Sequence, residues 1–425
     1  MTTDPASLLT PQGAELLGRL AAQADAAASP LALAERLRRE YPAGLVAAAM
    51  AQQELRLAAA AKFSRAAQML FTRAGYEQSS SEAIAGYRAG RLKNARRVAD
   101  LCCGIGGDLI ALAAASDVLA VDRDEIHARL ARYNAGVYGR AEHVTAVVAD
   151  VRDVPLAGTD AVFIDPARRS GPGGAAPATA PLGSTGPASA GRRFRAGTSE
   201  PPLDWCVALT GQVAAVCIKA APGIPADLVP PHWEAEFIAE ARDLKEAVLW
   251  SPALATAPPA STPDGAGGRR RATVLAAVPG GRSRRSYTLV ARPGAPVPLR
   301  EPGDYLLDPN PAVTRAGLVE DLARDLDGDA AKIDPQIAFL TLDRDVRTPF
   351  ARTLRVRHSA PWHEKQFAKR LRELDVGSVD IRRRGLAGDV DQIRRRLKLA
   401  GTTRATIVIT RVNDKPWGLI CTDPA

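Results

Sequence analysis

The 425-residue chain is poor in the residues that announce metal or disulfide chemistry: it holds five cysteines and five histidines. The cysteine number is odd and no two are spaced C-x-x-C, which excludes a disulfide framework and a zinc cradle and suits a reduced cytosol. No H-E-x-x-H is present. His358 and His363, flanking Ser359-Ala360-Pro361-Trp362, read as surface-loop residues, so no metal is expected. No apolar run approaches the roughly 18 residues that cross a bilayer, so no membrane partner is expected. The opening MTTDPASLLTPQG has neither a basic start nor an apolar core, so a signal peptide is not expected and a cytoplasmic location is.

What is present is globular. Apolar residues make up 46% of the chain, and its length suits two or three domains. Residues 1–95 have apolar positions at helical spacing in 11–28, 30–40 and 45–73, and Ser79-x-x-Glu82 reads as a capping box opening a helix to about Leu92. This N-terminal helical domain either covers a ligand or only buries sheet surface. Residues 96–283 read as an α/β domain, interrupted at about 170–191 and 251–268 by Gly/Pro/Ala/Ser-rich stretches expected to be disordered. Residues 284–425 form a C-terminal region with a small α+β domain at about 345–425.

The most informative stretch, 98–113, reads VADLCCGIGGDLIALA. An apolar strand runs into Asp100, and a turn with Gly104, Gly106 and Gly107 follows, where missing side chains let a ligand reach the backbone. The third position of G-x-G-x-x-G is Leu109, which disfavours a dinucleotide fold. The D-x-x-x-G-x-G-G-D run resembles that of S-adenosylmethionine (SAM) methyltransferases with a seven-stranded, Rossmann-like sheet. Three further apolar strands, 118–121, 144–148 and 161–164, end at Asp122, Asp150 and Asp165. Asp122 lies about twenty residues after the turn, where a carboxylate accepts from a ribose diol, and Asp150 is placed to take an adenine amino proton. Strand-end acids at one carboxyl edge are the expected ligand site of an open α/β sheet. A buried strand at 213–218 leads to Lys219, and 247–250 with 272–278 supply a closing pair.

The charge is uneven. Residues 344–415 carry 19 Lys and Arg against 8 Asp and Glu, a net +11, which leaves about −2 for the rest. A basic module beside a near-neutral domain points to a polyanion partner. Its strand 378–384 ends in Arg382, Arg383 and Arg384, and its helix 389–399 carries Arg394, Arg395, Arg396 and Lys398 beside Ile393 and Leu397. These make a patch able to lie along phosphates. Strands at 405–412 and 417–421, joined through Asn413-Asp414, complete a hairpin.

Phe71-Thr72, Glu77-Gln78-Ser79-Ser80-Ser81-Glu82, the 101–108 turn, Asp165-Pro166-Ala167-Arg168-Arg169, Leu244-Lys245-Glu246, Asp308-Pro309-Asn310 and Arg383-Arg384-Gly385 carry a resemblance over nearly the whole chain. It resembles bacterial class I SAM-dependent methyltransferases with a C-terminal THUMP-like domain. The resemblance implies that Asp100, Gly104, Gly106, Asp122 and Asp150 hold SAM, and that Asp165 lines the meeting point of methyl donor and substrate. The THUMP-like module implies RNA, tRNA or rRNA, as partner. Cys102 departs from the pattern, standing where related sequences often have the first glycine.

The acceptor atom stays open. Enzymes that methylate exocyclic amines put an aromatic ring after D/N-P-P, and Asp165-Pro166-Ala167-Arg168 has none. Pyrimidine C5 chemistry resembles D-P-x-R more closely but needs a nucleophilic cysteine, for which Cys206 and Cys217 are candidates. Ribose 2′-O methylation would use Lys219, positioned by Asp165 and Glu246. A methyltransferase for protein or small molecules, and a silent SAM-binding RNA-binding protein, are the other readings.

Overall fold

The structure, a computed structural model, describes residues 4–22, 29–168, 199–259, 268–280, 284–326, 328–386 and 388–424. Two compact units divide the chain. The first contains residues 1–168, 199–220 and 250–254; the remainder makes the second.

The first unit opens with helices α1 (Pro11–Ala22), α2 (Pro30–Leu37), α3 (Ala43–Ala59), α4 (Arg73–Gln78) and α5 (Glu82–Leu92). The helical run expected over 45–73 stops at Ala59 and continues as turns to Gln68. The cap of α5 is Ser81, whose Oγ accepts from Ile84 N at 3.4 Å, and not Ser79, whose hydroxyl donates to Tyr76 O. Glu82 turns away from the cap and accepts from Ser64 N at 2.7 Å and the Tyr138 hydroxyl at 3.0 Å.

After α5 the chain alternates: β1 (Arg97–Leu101), α6 (Leu109–Leu112), β2 (Asp117–Asp122), α7 (Glu125–Val137), β3 (Val144–Val148), β4 (Ala161–Ile164), the two-residue ribbon β5 (Ala167–Arg168) and β6 (Ser199–Glu200), α8 (Leu203–Ala208) and β7 (Ala215–Ala220). Five of these strands pair in the order β7-β4-β1-β2-β3, parallel throughout. The apolar runs of β1, β2, β4 and the centre of β7 are buried on both faces, as a helix-covered parallel sheet requires, whereas β3 at the edge leaves Val148 exposed. The strand order reverses between β1 and β4, which opens a crevice at the carboxyl ends. The expected disordered stretch at 170–191 lies outside the described residues. From 251 the expectation fails over the described residues: Ser251 Oγ accepts from Val216 N and donates to Ala214 O, and Thr256 and Ala257 N donate to Glu234.

The second unit begins its strands with β8 (Glu234–Glu240) and β9 (Asp243–Trp250), joined by two residues, of which Ala241 has φ 52°. Strand β10 (Arg269–Ala277) pairs in parallel with β8 and antiparallel with β11 (Arg284–Val290). The expected closing pair is therefore corrected: β8 was not anticipated and lies beside β10. A separate seven-stranded sheet follows in the order β13-β14-β12-β15-β18-β17-β16. Its strands are β12 (Tyr305–Pro309), β13 (Ala331–Lys332), β14 (Leu340–Leu342), β15 (Ala351–Pro361), β16 (Val376–Arg383), β17 (Thr403–Val412) and β18 (Lys415–Thr422). Helices α9 (Pro311–Ala316) and α10 (Val319–Asp325) are separated by Gly317 at φ 70°; α11 (Glu364–Glu373) and α12 (Val390–Leu397) cover the late strands through Phe367, Leu371 and Leu397. Asn413 and Asp414 both have positive φ, the twist a two-residue hairpin turn needs. His358 lies on β15 with its ring 5.2 Å from Phe367, and not in a loop.

Polar side chains fix the helical layer of the first unit. Gln52 exchanges two hydrogen bonds with the Phe71 backbone, at 2.6 and 2.9 Å. Asn134, fully buried on α7, accepts from Leu70 N and donates to Leu70 O and Ile105 O, each at 2.9 Å. One side chain thus ties the helical layer to the glycine turn. Asn134→Ala leaves three buried backbone groups unsatisfied and is expected to cost about 3 kcal/mol in denaturant unfolding; a loss below about 0.5 kcal/mol would mean the three bonds are dispensable.

Candidate functional site

The site grows from the end of β1. The ladder continues past it: Cys103 N donates to Val121 O at 3.0 Å, and Asp165 N to Leu101 O at 3.2 Å. Between them the chain must turn sharply, and Cys102, Gly104 and Gly106 have φ of 64°, 53° and 86°. A Cβ on Gly106 would meet Ala131 Cα at 3.0 Å, so this glycine lets the turn pack on α7. Gly104 is different. A Cβ there would meet nothing within 4 Å, so the bare backbone faces open space. Cys102 adopts its left-handed conformation despite a side chain, which settles how the departure from glycine is accommodated.

Asp122, at the end of β2, holds the turn. One of its oxygens accepts from Gly104 N at 2.9 Å and the other from Asp124 N at 2.9 Å. His127 Nδ1 lies 3.9 Å from the same carboxylate, and His127 Nε2 is 3.3 Å from Thr72 Oγ1. Asp100 is fully buried, and neither carboxylate oxygen has a hydrogen-bond partner. Burial pushes its carboxyl well above the usual carboxylate range, and the charges of Asp108, Asp165 and Asp122 push it further, against Arg88. An orphaned buried carboxylate beside uncovered backbone fits SAM, which brings an ammonium and a sulfonium to be matched.

Beneath the site, Arg88 of α5 is almost wholly buried; it pairs with Asp108, donates to Ser80 Oγ at 2.9 Å and lies 5.2 Å over the Phe163 ring. Arg88 and His127 were not singled out from sequence, and Thr72 entered only as part of the Phe71-Thr72 pair carrying the resemblance; an arginine about two turns into a capped helix gains meaning only from folding.

Asp165 follows β4, and Lys219 Nζ of β7 reaches its Oδ2 at 2.5 Å. These two expected residues are brought together, with half-buried Pro166 next to Asp165. Arg168 pairs with Ser199 through the backbone. Glu246 belongs to β9 in the second unit and is buried. Asp150 is engaged otherwise than expected: it accepts from Arg152 N at 2.9 Å and pairs with Arg152 Nη1 at 3.0 Å, while Arg152 also pairs with Glu200. An adenine amino group would have to share that carboxylate.

Neither candidate thiol is exposed. Cys206 is buried with its thiol pushed up to about 12 by desolvation, Cys217 is buried within β7, and burial also raises Cys102 and Cys103. Among the described residues no His/Cys/Asp/Glu group could hold a metal, and no helix is long and apolar enough to cross a membrane.

In the second unit the basic patch divides. Arg383 is buried and donates to Gly388 O. Arg384 donates to Ala338 O at 2.8 Å, pairs with Asp308 at 2.8 Å and stacks 4.7 Å over Phe339. Both are therefore committed to internal contacts, which corrects the expectation that they face phosphates. Arg382 is partly exposed and bound to Asp380 at 3.0 Å. Arg394, Arg395, Arg396 and Lys398 are exposed on and after α12; Arg394 pairs with Asp391 and Arg396 approaches Glu364. Leu397 turns inward and Asp389 caps the helix, so burial of the apolar side leaves the arginines outward.

Asp122→Ala removes the acceptor that holds the turn. It is expected to weaken SAM binding by about 1–3 kcal/mol in calorimetry; unchanged affinity would place the cofactor elsewhere.

Comparison with known proteins identifies the family. Residues 95–176 match the family model described as RNA cap guanine-N2 methyltransferase, 351–423 the THUMP domain-like model, and 2–59 a domain of unknown function. Two relatives from Mycobacterium tuberculosis strains CDC 1551 and H37Rv, each described as an uncharacterized S-adenosylmethionine-dependent methyltransferase, are 32% identical over 351 residues, 81% of this chain and 85% of theirs. A crystal structure from Porphyromonas gingivalis W83, described provisionally as a methyltransferase, shares the fold with a TM-score of 0.74 at 21% identity over 100% of both chains. The chain belongs to the family of S-adenosylmethionine-dependent methyltransferases represented by the mycobacterial relatives, with a THUMP-like domain toward its C-terminal end.

Proposed function

We propose that the protein methylates RNA, tRNA or rRNA, and that its THUMP-like domain binds that RNA. The observation that carries this reading is the outward arginine face of α12 on a domain similar to an RNA-associated module, in one chain with a SAM-type turn. The match of 95–176 to an RNA cap guanine-N2 methyltransferase model supports the same acceptor class.

The residues divide the work. SAM supplies an activated methyl group on a sulfonium. Gly104 leaves backbone uncovered, Gly106 lets the turn pack on α7, Asp122 is placed for the ribose diol, Asp100 for the cationic end and Asp150 for the adenine, with Cys102 shaping the first bend. Asp165 and Pro166 line the acceptor side, and Lys219 fixes the Asp165 carboxylate by a 2.5 Å contact. Catalysis of this kind is mainly positional: acceptor and donor are held in line and water is excluded. A thiol adduct is disfavoured because the candidate thiols of Cys206 and Cys217 are both buried, and burial raises that of Cys206.

Incubating the full chain with methyl-labelled SAM and total cellular RNA is expected to put label into RNA, located by nucleoside mass spectrometry. Label confined to protein or small molecules would overturn the proposal. A second expectation concerns salt. Replacing Arg394, Arg395 and Arg396 together by alanine should flatten the dependence of log RNA affinity on log salt by about 2 units, at about 0.7 for each single-strand phosphate contact. An unchanged slope would move the RNA surface away from α12.

A further inference from the structure

Asp100 has an environment that an empty site cannot satisfy with a charged carboxylate. It is fully buried at the end of β1, and neither oxygen receives a hydrogen bond. Its neighbours are acids. Asp122 comes from β2, with His127 of α7 3.9 Å from it; Asp165 follows β4, held by Lys219 of β7; Asp108 lies ahead of α6, paired with Arg88 of α5. The thiols of Cys102 and Cys103 flank it in the turn, and burial keeps both protonated. The cations nearby already have carboxylates: Arg88 serves Asp108, and Lys219 serves Asp165. A bare charge on Asp100 would therefore be desolvated and surrounded by like charge.

We propose that Asp100 carries a proton while the cofactor site is empty and gives it up when SAM binds, so that the site distinguishes the cationic methyl donor from its neutral-sulfur product. The O–H bond of the Asp100 carboxyl breaks, the proton leaves to solvent, and the carboxylate is matched by the net positive charge of the donor. After methyl transfer the product's sulfur is a thioether, so the sulfonium charge is lost and the remaining ammonium is balanced by the product's own carboxylate, leaving no net positive charge to match Asp100. Asp100 then takes a proton back from solvent, which loosens the product. The sign follows from linkage: below the empty-site pKa of Asp100, affinity for SAM rises as pH rises, by about tenfold per pH unit.

The test is calorimetry of the full chain with SAM and with S-adenosylhomocysteine at about pH 6, in MES and in bis-tris, whose different ionisation enthalpies reveal protons exchanged. About one proton released per SAM, clearly fewer for S-adenosylhomocysteine, and none for Asp100→Asn are expected. Equal SAM enthalpies in the two buffers, equal release with both ligands, or release persisting in D100N would overturn the proposal. Should D100N fail to fold, SAM affinity of the wild-type chain between about pH 5.5 and 7 decides: a rise steeper than that of S-adenosylhomocysteine supports it, and a flat or parallel profile defeats it. SAM binding without proton release would sink this inference and leave the cofactor assignment standing.

Discussion

The carboxylate of Asp122 accepts from the amides of Gly104 and Asp124, and through those two bonds it sets where the chain goes after β1 and after β2 at once. A turn with three residues at positive φ has no ladder of its own to hold it. Its amides need an acceptor that is rigid and close, and a strand-end carboxylate on the adjacent parallel strand is both. The register makes this possible: Leu101 lies opposite Val121, so the residue after each is brought to one edge. The same acid is thus a structural anchor for the uncovered backbone of the turn, and under the proposed function it is also the group offered to the cofactor.

From that constraint the surroundings follow. The turn must be buttressed from behind, and Asn134 and Gly106 let α7 do so at close range. It must be closed from the side, and Arg88 with Asp108 fills that position. What remains is a site with more carboxylates than free cations, which suits a positively charged methyl donor and resists an empty, fully ionised state. Excess negative charge surrounds the turn of the first unit, while α12 of the second unit carries outward arginines.

Much of this was legible in the chain itself. β1 to β4 are apolar runs ended by acids, the signature left by parallel strands buried on both faces, as β1, β2 and β4 are. The hairpin turn at Asn413-Asp414 and the pairing of Asp165 with Lys219 were also readable as types and positions. Other features were not. β8 reads Glu-Ala-Glu-Phe-Ile-Ala-Glu, and its alternating acids look solvated; in fact Glu234 and Glu236 are buried because Arg271 and Thr273 on the paired strand meet them. Partners on a distant strand are invisible to local pattern. The cap of α5 moved from Ser79 to Ser81 because Glu82 found long-range partners in Ser64 and Tyr138. Arg383 and Arg384 look like Arg382 in a count of charge, yet Asp308, Ala338 O and Gly388 O claim them.

The most direct check of the account is a crystal structure of the full chain soaked with S-adenosylhomocysteine. The account predicts ligand density across the uncovered backbone of Gly104, ribose hydroxyls on the Asp122 carboxylate and the amino-acid end toward Asp100. Density at another edge of the molecule, or a ligand that leaves both carboxylates without contact, would contradict it.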